Sequence, residues 1–526
     1  MTHLEFAPGW TARPPRWAIA LALGLLAFLL MGLGQAPLFD VDEGAFSEAT
    51  RALLSSGDWG HTTLNGLDRF DKPIGIYWLQ ALSGVLLGPT ELAMRLPSAL
   101  ATWLAALALW KFIAGPWGVR TGAWAAIIHV TSFGSWAMAH AATADAVLGM
   151  FLMLSAIDLW RYLETEDLKA LRRLALWVGA GMLVKGPVAL LIPAASLLIH
   201  CLVSGQWGVC RKALSDLRAW IYMLAIALPW YAYAVWRHGE EFVKGFILKH
   251  NIERFTAPME GHDGHWLYFA IVAPILWMPW TPLLLAWLGR WRALWGHALT
   301  RQALIWTVFV LVFFSLAGTK LPHYGIYAAP GVVLLLTAAL ERLRSWHAGL
   351  CALSLLGWQA LMVGLPWYWI TFPDRVPQAL THIFRHTLEP LPLATIATAW
   401  GLLALTLLMG HARMAQMARL GLADVLSAMA LVQGSVMALA VWPWWANTLQ
   451  GPIKTLGLEA RNWPSTVGQI GGNWPSFAFY RQQALTPKGS PASLFLAPEA
   501  QLPPGAQVWA KDKGMVLFQT EKTTTP

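Results

Sequence analysis

Charge is what this sequence has least of. Asp, Glu, Lys and Arg make up 12% of its 526 residues, against 57% hydrophobic residues. A soluble domain carries about 25% charged residues, so the composition places the chain in a bilayer. Cysteine is scarce: Cys201, Cys210 and Cys351 are an odd number without metal-ligand spacing, which excludes a disulfide framework or a cysteine metal centre. The apolar runs lack the ~10-residue alternation of a membrane barrel; Leu, Ala and Trp dominate them instead. No basic tract interleaved with aromatics accompanies the net charge of +9, so nucleic acid is not an expected partner. A glycine-rich nucleotide loop is missing too. No small-residue cleavage site follows the first apolar segment, Trp17 to Gly34, which reads as a retained anchor.

What remains is a series of apolar runs, each near the ~20 residues that cross a bilayer as a helix. About thirteen are expected, near 17–34, 93–113, 118–138, 144–162, 171–185, 187–204, 219–236, 266–289, 302–318, 322–340, 348–370, 391–409 and 422–442. With the N-terminus in the cytoplasm, beside Arg13 and Arg16, every loop on that side is basic. Examples are Arg172 and Arg173, Arg211 and Lys212, and Arg290 and Arg292. Three longer stretches then fall outside: residues 35–92, residues 237–265 and the tail 443–526, whose short apolar runs broken by Pro and Gly suggest a small α/β domain. The expected architecture is an all-α polytopic membrane domain, 1–442, followed by that external domain. Pro73 to Gly88 is apolar but short, and fits a re-entrant or interface-lying helix.

Polar groups gather at the outer corners. The first external stretch holds "DVDE" (Asp40, Asp42, Glu43) and "LDRFDKPIGIYW" (Asp71, Lys72). Asp145 opens the fourth span, Lys185 sits in "VKGP", and Lys320, His323 and Tyr324 lie in "GTKLPHYGIY". "KHNIERFTAPMEGHDGHW" carries His250, Arg254, His262 and His265. Each has a plain reading. Asp42 and Glu43 suit a helix N-terminus, Asp145 an N-cap, Lys72 a snorkelling lysine, and Lys185 a mere break between spans. Scattered loop histidines are more often solvated than metal-bound. Together, however, acids and bases converge on one side of the membrane, and ionisable groups there normally have partners or a task.

"DVDEGAFSEATRALLSSGDW", "LNGLDRFDKPIGIYWLQ" and "AMRLPSALA" resemble the first external loop of bacterial membrane glycosyltransferases of family 39. This group is related to the lipid A aminoarabinose transferase and, more distantly, to protein O-mannosyltransferases. "LVKGPVALLIP", "HNIERFTAP", "TKLPHYGIY" and "GNWPSFAFY" are similar to later landmarks in the same order, so the resemblance covers nearly the whole chain. It implies the GT-C architecture, a polyprenyl-phosphate-linked sugar donor, and an active site at the outer membrane surface. By the same resemblance, Asp42 is the principal catalytic carboxylate, Asp145 a second carboxylate of the site, and Lys72 the lysine on the donor phosphate. Asp71 stands where an acidic neighbour of that lysine is implicated in binding a divalent metal ion. The chain departs from the aminoarabinose transferase at Ala45, where that enzyme carries an arginine, which leaves sugar and acceptor open.

The chemistry agrees. Glycosyl transfer from a lipid phosphate builds negative charge on the leaving phosphate. A lysine stabilises that charge, and a carboxylate takes a proton from the acceptor hydroxyl or orients it. Lys320 and Arg254 are further phosphate candidates, with Glu43, Tyr324 and Lys185 in support, and His250 beside Asp71 the weak metal candidate. One carboxylate suffices for a single inverting displacement. The expectation is transfer from a polyprenyl-phosphate-linked sugar to an envelope acceptor (a lipid A-like glycolipid first, another glycan or a protein next). The setting is the periplasmic face of a bacterial inner membrane. No cofactor beyond that metal ion is implied. The rival class is a polytopic lipid or glycan transporter or flippase; against it, the charges cluster outside rather than at the bilayer midplane, and no inverted repeat is visible.

Overall fold

The computed structural model of the chain describes residues 15–258, 264–375, 401 and 419–520. Among these, seven helices are long and apolar enough to cross a membrane: Glu91–Trp117, Asp145–Thr165, Leu217–His238, Ala298–Leu316, Pro322–Arg342, Ser345–Leu365 and the interrupted Gly421–Asn462. The pair Tyr268–Leu276 and Thr281–Trp287 makes an eighth if taken as one span; it bends by 111° at a segment containing Pro279. Proline removes a backbone donor and breaks the helix there.

The remaining expected spans are shorter or divided. Arg16–Leu30 and Val188–Ser204 are apolar but fall below 18 residues. Leu168–Lys185 carries charge at both ends. The run 118–138 is split into Val119–Thr131 and Phe133–Ala139, with Ser132 between them in an extended conformation. The expected span at 391–409 lies outside the described residues except for residue 401.

One long helix shows sorting by side-chain size. On Leu217–His238 the buried residues are Ala219, Met223, Ala227 and Ala234, while Ile221, Leu224, Leu228 and Trp236 are exposed. Small residues inside and large apolar ones outside suit a helix whose outer face meets lipid. Gly179 lets this helix come close: a Cβ there would lie 2.7 Å from the Met223 carbonyl oxygen.

Residues 35–92 hold a helix (Asp42–Ser56), a two-stranded ribbon of β1 (Thr63–Leu64) and β2 (Leu67–Asp68), and a second helix, Gly75–Leu87. That second helix has 13 residues, ~20 Å at 1.5 Å per residue, short of the ~30 Å hydrocarbon core. Its outer stripe, Leu79, Leu82, Val85 and Leu86, is exposed, and Tyr77, Gln80, Ala81 and Gly84 pack inward. An apolar stripe on a short helix is the pattern of an element lying in the interface. Gln80 fastens it, donating to the carbonyls of Met94 (3.1 Å) and Ala142 (3.2 Å) and accepting from Thr50 (2.8 Å).

After the last long helix comes a four-stranded sheet in the order β3 (Val467–Gln469), β4 (Leu494–Pro498), β6 (Met515–Gln519), β5 (Gln507–Asp512). β3 pairs parallel with β4 and the other pairs are antiparallel. Its core is separate from the membrane core and contains Ile453, Leu456, Phe477, Leu494, Leu496 and Leu517. The short helix Pro475–Arg481 docks this unit on the segment before the helix Asp42–Ser56. Its Ser476 donates to Asp40 from the backbone (2.8 Å) and from the hydroxyl, and Tyr480 Oη accepts from Leu38 N (2.7 Å). Gly44 permits the approach, since a Cβ there would lie 2.5 Å from Ser476 N.

Candidate active site

Two neighbours in "DVDE" go different ways. Glu43 is buried. It accepts from Arg95 through both carboxylate oxygens at 2.8 Å, from Phe39 N at 2.9 Å and from Ala142 N at 2.6 Å. Arg95 in turn donates to the carbonyls of Leu33, Ala36 and Pro37. Four bonds saturate the carboxylate, so Glu43 ties the first loop to the helix Glu91–Trp117 and has no capacity left for a substrate. Asp42 begins the helix Asp42–Ser56 and is exposed. Its charge acts on Lys185, His323 and Arg69. Asp40 is taken up by Ser476. Burial pushes its carboxyl up to about 7, against the pull of those two bonds.

Elsewhere, with no lining residue from the helix Asp42–Ser56, lies a cavity of about 470 Å³. Lys72, Lys185 and Arg254 line its polar end, and Leu191, Phe246 and Phe313 are among its apolar walls. The elements that meet there are far apart in sequence. Lys72 precedes the interfacial helix; Lys185 ends Leu168–Lys185; Arg254 follows a π-helical segment, Val243–Glu253. Tyr324 belongs to a tight 3₁₀ segment, Pro322–Ala328. Such π-helical segments often mark functional sites.

Lys72 donates to the Asp71 carbonyl at 3.0 Å, a neutral partner. Burial, then the like charges of Lys185 and Arg254, push its amine down to about 7. Lys185 meets Asp145 at 2.5 Å across 40 positions, and its ammonium lies 5.0 Å from the Tyr324 ring centre and 5.5 Å from that of Tyr327. Asp145 also accepts from Tyr327 Oη at 2.5 Å and has His323 at 3.5 Å. Asp145 is therefore buried, with all three contacts on its Oδ1, orienting Lys185.

Lys320 departs from the group. Its ammonium donates to the Ala317 carbonyl at 2.8 Å and it does not line the cavity, although Ala317 and Thr319 do. Asp71 and His250 are in contact at 3.0 Å. Burial raises the Asp71 carboxyl, but the His250 bond and the Arg69 charge outweigh it and hold the group well below the usual carboxylate range. Among the described residues no third His, Cys, Asp or Glu completes a metal-ligand group with them. His265 is exposed, and His262 lies outside the described residues. Two ligands fall short of the three that catalytic zinc sites use, so no chemical step is derived from a metal here.

The family model described as dolichyl-phosphate-mannose-protein mannosyltransferase matches residues 71–233, from the Asp71–Lys72 pair to the helix Leu217–His238. An undecaprenyl phosphate-α-4-amino-4-deoxy-L-arabinose arabinosyl transferase of Pseudomonas fluorescens is 30% identical over 403 residues, 73% of this chain and 70% of that protein. The chain belongs to this family. The corresponding transferase of Aeromonas salmonicida is 29% identical over 375 residues, 67% of this chain and 66% of that one. Across that protein and three further relatives of the family, the chain spans 58–66% of their length. The fold is that of the family as well. A crystal structure of ArnT from Cupriavidus metallidurans bound to undecaprenyl phosphate superposes with a TM-score of 0.78 at 19% identity, covering 97% of this chain and 99% of that one.

Sequence reasoning passed over Arg69 and Arg95, although both stand inside quoted motifs, "LDRFDKP" and "AMRLPSALA". The available signal was an arginine in a membrane-proximal loop for Arg69 and one inside an apolar span for Arg95.

Proposed function

We propose that the chain transfers a sugar, with inversion, from a polyprenyl-phosphate-linked donor to an envelope acceptor at the periplasmic face of a bacterial inner membrane. A lipid A-like glycolipid is the first acceptor class. The observation that carries this reading is the cavity whose apolar walls end in three cations, Lys72, Lys185 and Arg254. A polyprenyl tail fits such walls, and a phosphate fits such an end. The relatives named as undecaprenyl phosphate-aminoarabinose arabinosyl transferases support the donor class.

In this scheme the acceptor hydroxyl attacks the anomeric carbon as the bond from that carbon to the phosphate oxygen breaks. The proton passes to Asp42, and polyprenyl phosphate leaves with its charge held by Lys72 and Arg254. Tyr324 walls the site, and Asp145 holds Lys185 in place. Asp42 sits on the exposed start of its helix, accessible to an acceptor, which supports the base role over Glu43.

The topology that goes with it has the N-terminus in the cytoplasm, thirteen crossings within 1–442, external loops at 35–92 and 237–265, and the domain 443–526 in the periplasm over the site. The docking of Ser476 and Tyr480 on the first external stretch supports this arrangement. The test is transfer by Asp42→Asn and Lys72→Ala, with undecaprenyl phosphate binding in parallel. Asp42→Asn is to keep binding and lose transfer; Lys72→Ala is to lose both. Transfer at the unmodified rate in either variant contradicts the scheme.

A further inference from the structure

Arg69 is a charged group of the site for which the scheme above has no use. Its Nε donates to Tyr77 Oη at 3.1 Å, and its Nη2 lies 3.1 Å from Asp71 Oδ2. Its guanidinium carbon stands 5.6 Å from the ring centre of Phe46. Phe46 follows Asp42 by four residues on the helix Asp42–Ser56, and residues four apart share a helix face. The guanidinium is thus laid along the face on which Asp42 stands. Burial disfavours its charge, but Tyr77, Asp71 and Asp42 together keep it firmly protonated.

The far side of the same group leads to the donor. Asp71 is the residue before Lys72, whose ammonium holds the Asp71 carbonyl, and the Asp71 carboxylate is shared with His250. Arg69 therefore spans the gap between the helix that carries Asp42 and the segment that carries the phosphate-binding lysine. Arginine suits that place because its planar fork can bond in several directions at once, which a lysine ammonium on a flexible stem does not reproduce.

We propose that Arg69 is a positioning residue for the transfer: it bridges the helix of Asp42 to Asp71, setting the carboxylate at working distance from the donor phosphate. The inference rests on the role given to Asp42 above. Small misplacements of reacting groups cost on the order of 100-fold in rate, so the effect belongs in turnover rather than in donor binding.

The experiment uses full-length chain in membranes from its own host, following the mass added to the acceptor as a function of pH, with undecaprenyl phosphate as the binding probe. Arg69→Gln is expected to lower kcat roughly 10–100-fold and to leave undecaprenyl phosphate affinity within about threefold. Arg69→Lys should restore part of the rate. Wild-type kcat in Arg69→Gln would overturn the proposal. So would a parallel loss of binding and transfer at every pH, which is the mark of a merely structural residue. Asp42→Asn, run alongside, separates the two claims: if it still transfers, the base assignment fails and this inference with it. If it is inactive while Arg69→Gln is unaffected, only the role of Arg69 fails.

Discussion

Lys185 and Asp145 form a buried ion pair at 2.5 Å, joining the end of the helix Leu168–Lys185 to the start of Asp145–Thr165. Tyr327 adds a second bond to the same carboxylate oxygen. Removing one partner of such a pair leaves an uncompensated buried charge, which costs about 3–5 kcal/mol, whereas replacing both by apolar groups is far milder. Lys185→Met alone should therefore lower the unfolding midpoint in detergent markedly, and Asp145→Leu combined with Lys185→Met should recover much of the loss. Additive losses in the double variant would show that the two side chains do not act as a pair.

Lys72 makes donor binding pH-dependent. Its amine is pushed down to about 7 in the free protein by burial and by Lys185 and Arg254. A bound phosphate anion favours the charged form and raises that value. Below pH 7 the lysine is already protonated, so it adds no pH dependence there. Above pH 7 binding must take up a proton, and affinity for undecaprenyl phosphate should fall by up to about tenfold per pH unit. Calorimetric or fluorescence titrations between pH 6 and 9 measure this; Lys72→Met should bind weakly and without the alkaline fall. A flat profile in the wild type would remove Lys72 from the phosphate site.

The adjacent acids Asp42 and Glu43 should separate cleanly by mutation. Glu43→Gln removes the charge opposite Arg95, which is 1% exposed, and should cost about 3–5 kcal/mol of stability. Asp42→Asn, at an exposed position, should change stability by no more than about 0.5 kcal/mol. Thermal unfolding of the two purified variants decides it; equal destabilisation would contradict the division of roles.

Asp40 gives the docked C-terminal unit its own pH response. Its carboxyl is raised to about 7 by burial, so the folded chain keeps this proton where the unfolded chain, near 4, has lost it. The stabilisation this brings is present at pH 4 and below and is lost as pH rises to 7. Asp40→Asn should flatten that response, so that its unfolding midpoint changes less than the wild type's between pH 5 and 8. An unchanged pH slope would show that Asp40 does not titrate with folding.

Much of this architecture was legible because apolar run length is a direct physical requirement of the bilayer. Glu91–Trp117 and Asp145–Thr165 stand where the runs predicted them. Less legible were the places where a run is interrupted, such as Ser132 and Pro279, because hydropathy averages across a break. The shared cavity of Lys72, Lys185, Arg254 and Tyr324 was foreshadowed only as a common side of the membrane; contacts around it span up to 182 positions, as between Tyr327 and Asp145. No periodicity encodes such pairings. Lys320 was a further phosphate candidate in sequence, yet its ammonium turns back to Ala317. Glu43 looked like a helper of Asp42, yet Arg95, 52 positions away, claims both of its oxygens.

The central claim is that Asp42 and Lys72 transfer a sugar from a polyprenyl phosphate. It is tested most directly by mass spectrometry of envelope lipids and glycans from cells carrying wild-type chain, Asp42→Asn chain or none. The account predicts one added sugar mass on an envelope acceptor with the wild type only, while the Asp42→Asn chain accumulates in the membrane at the same level. The same added mass in the Asp42→Asn cells, or none with the wild type, would contradict it.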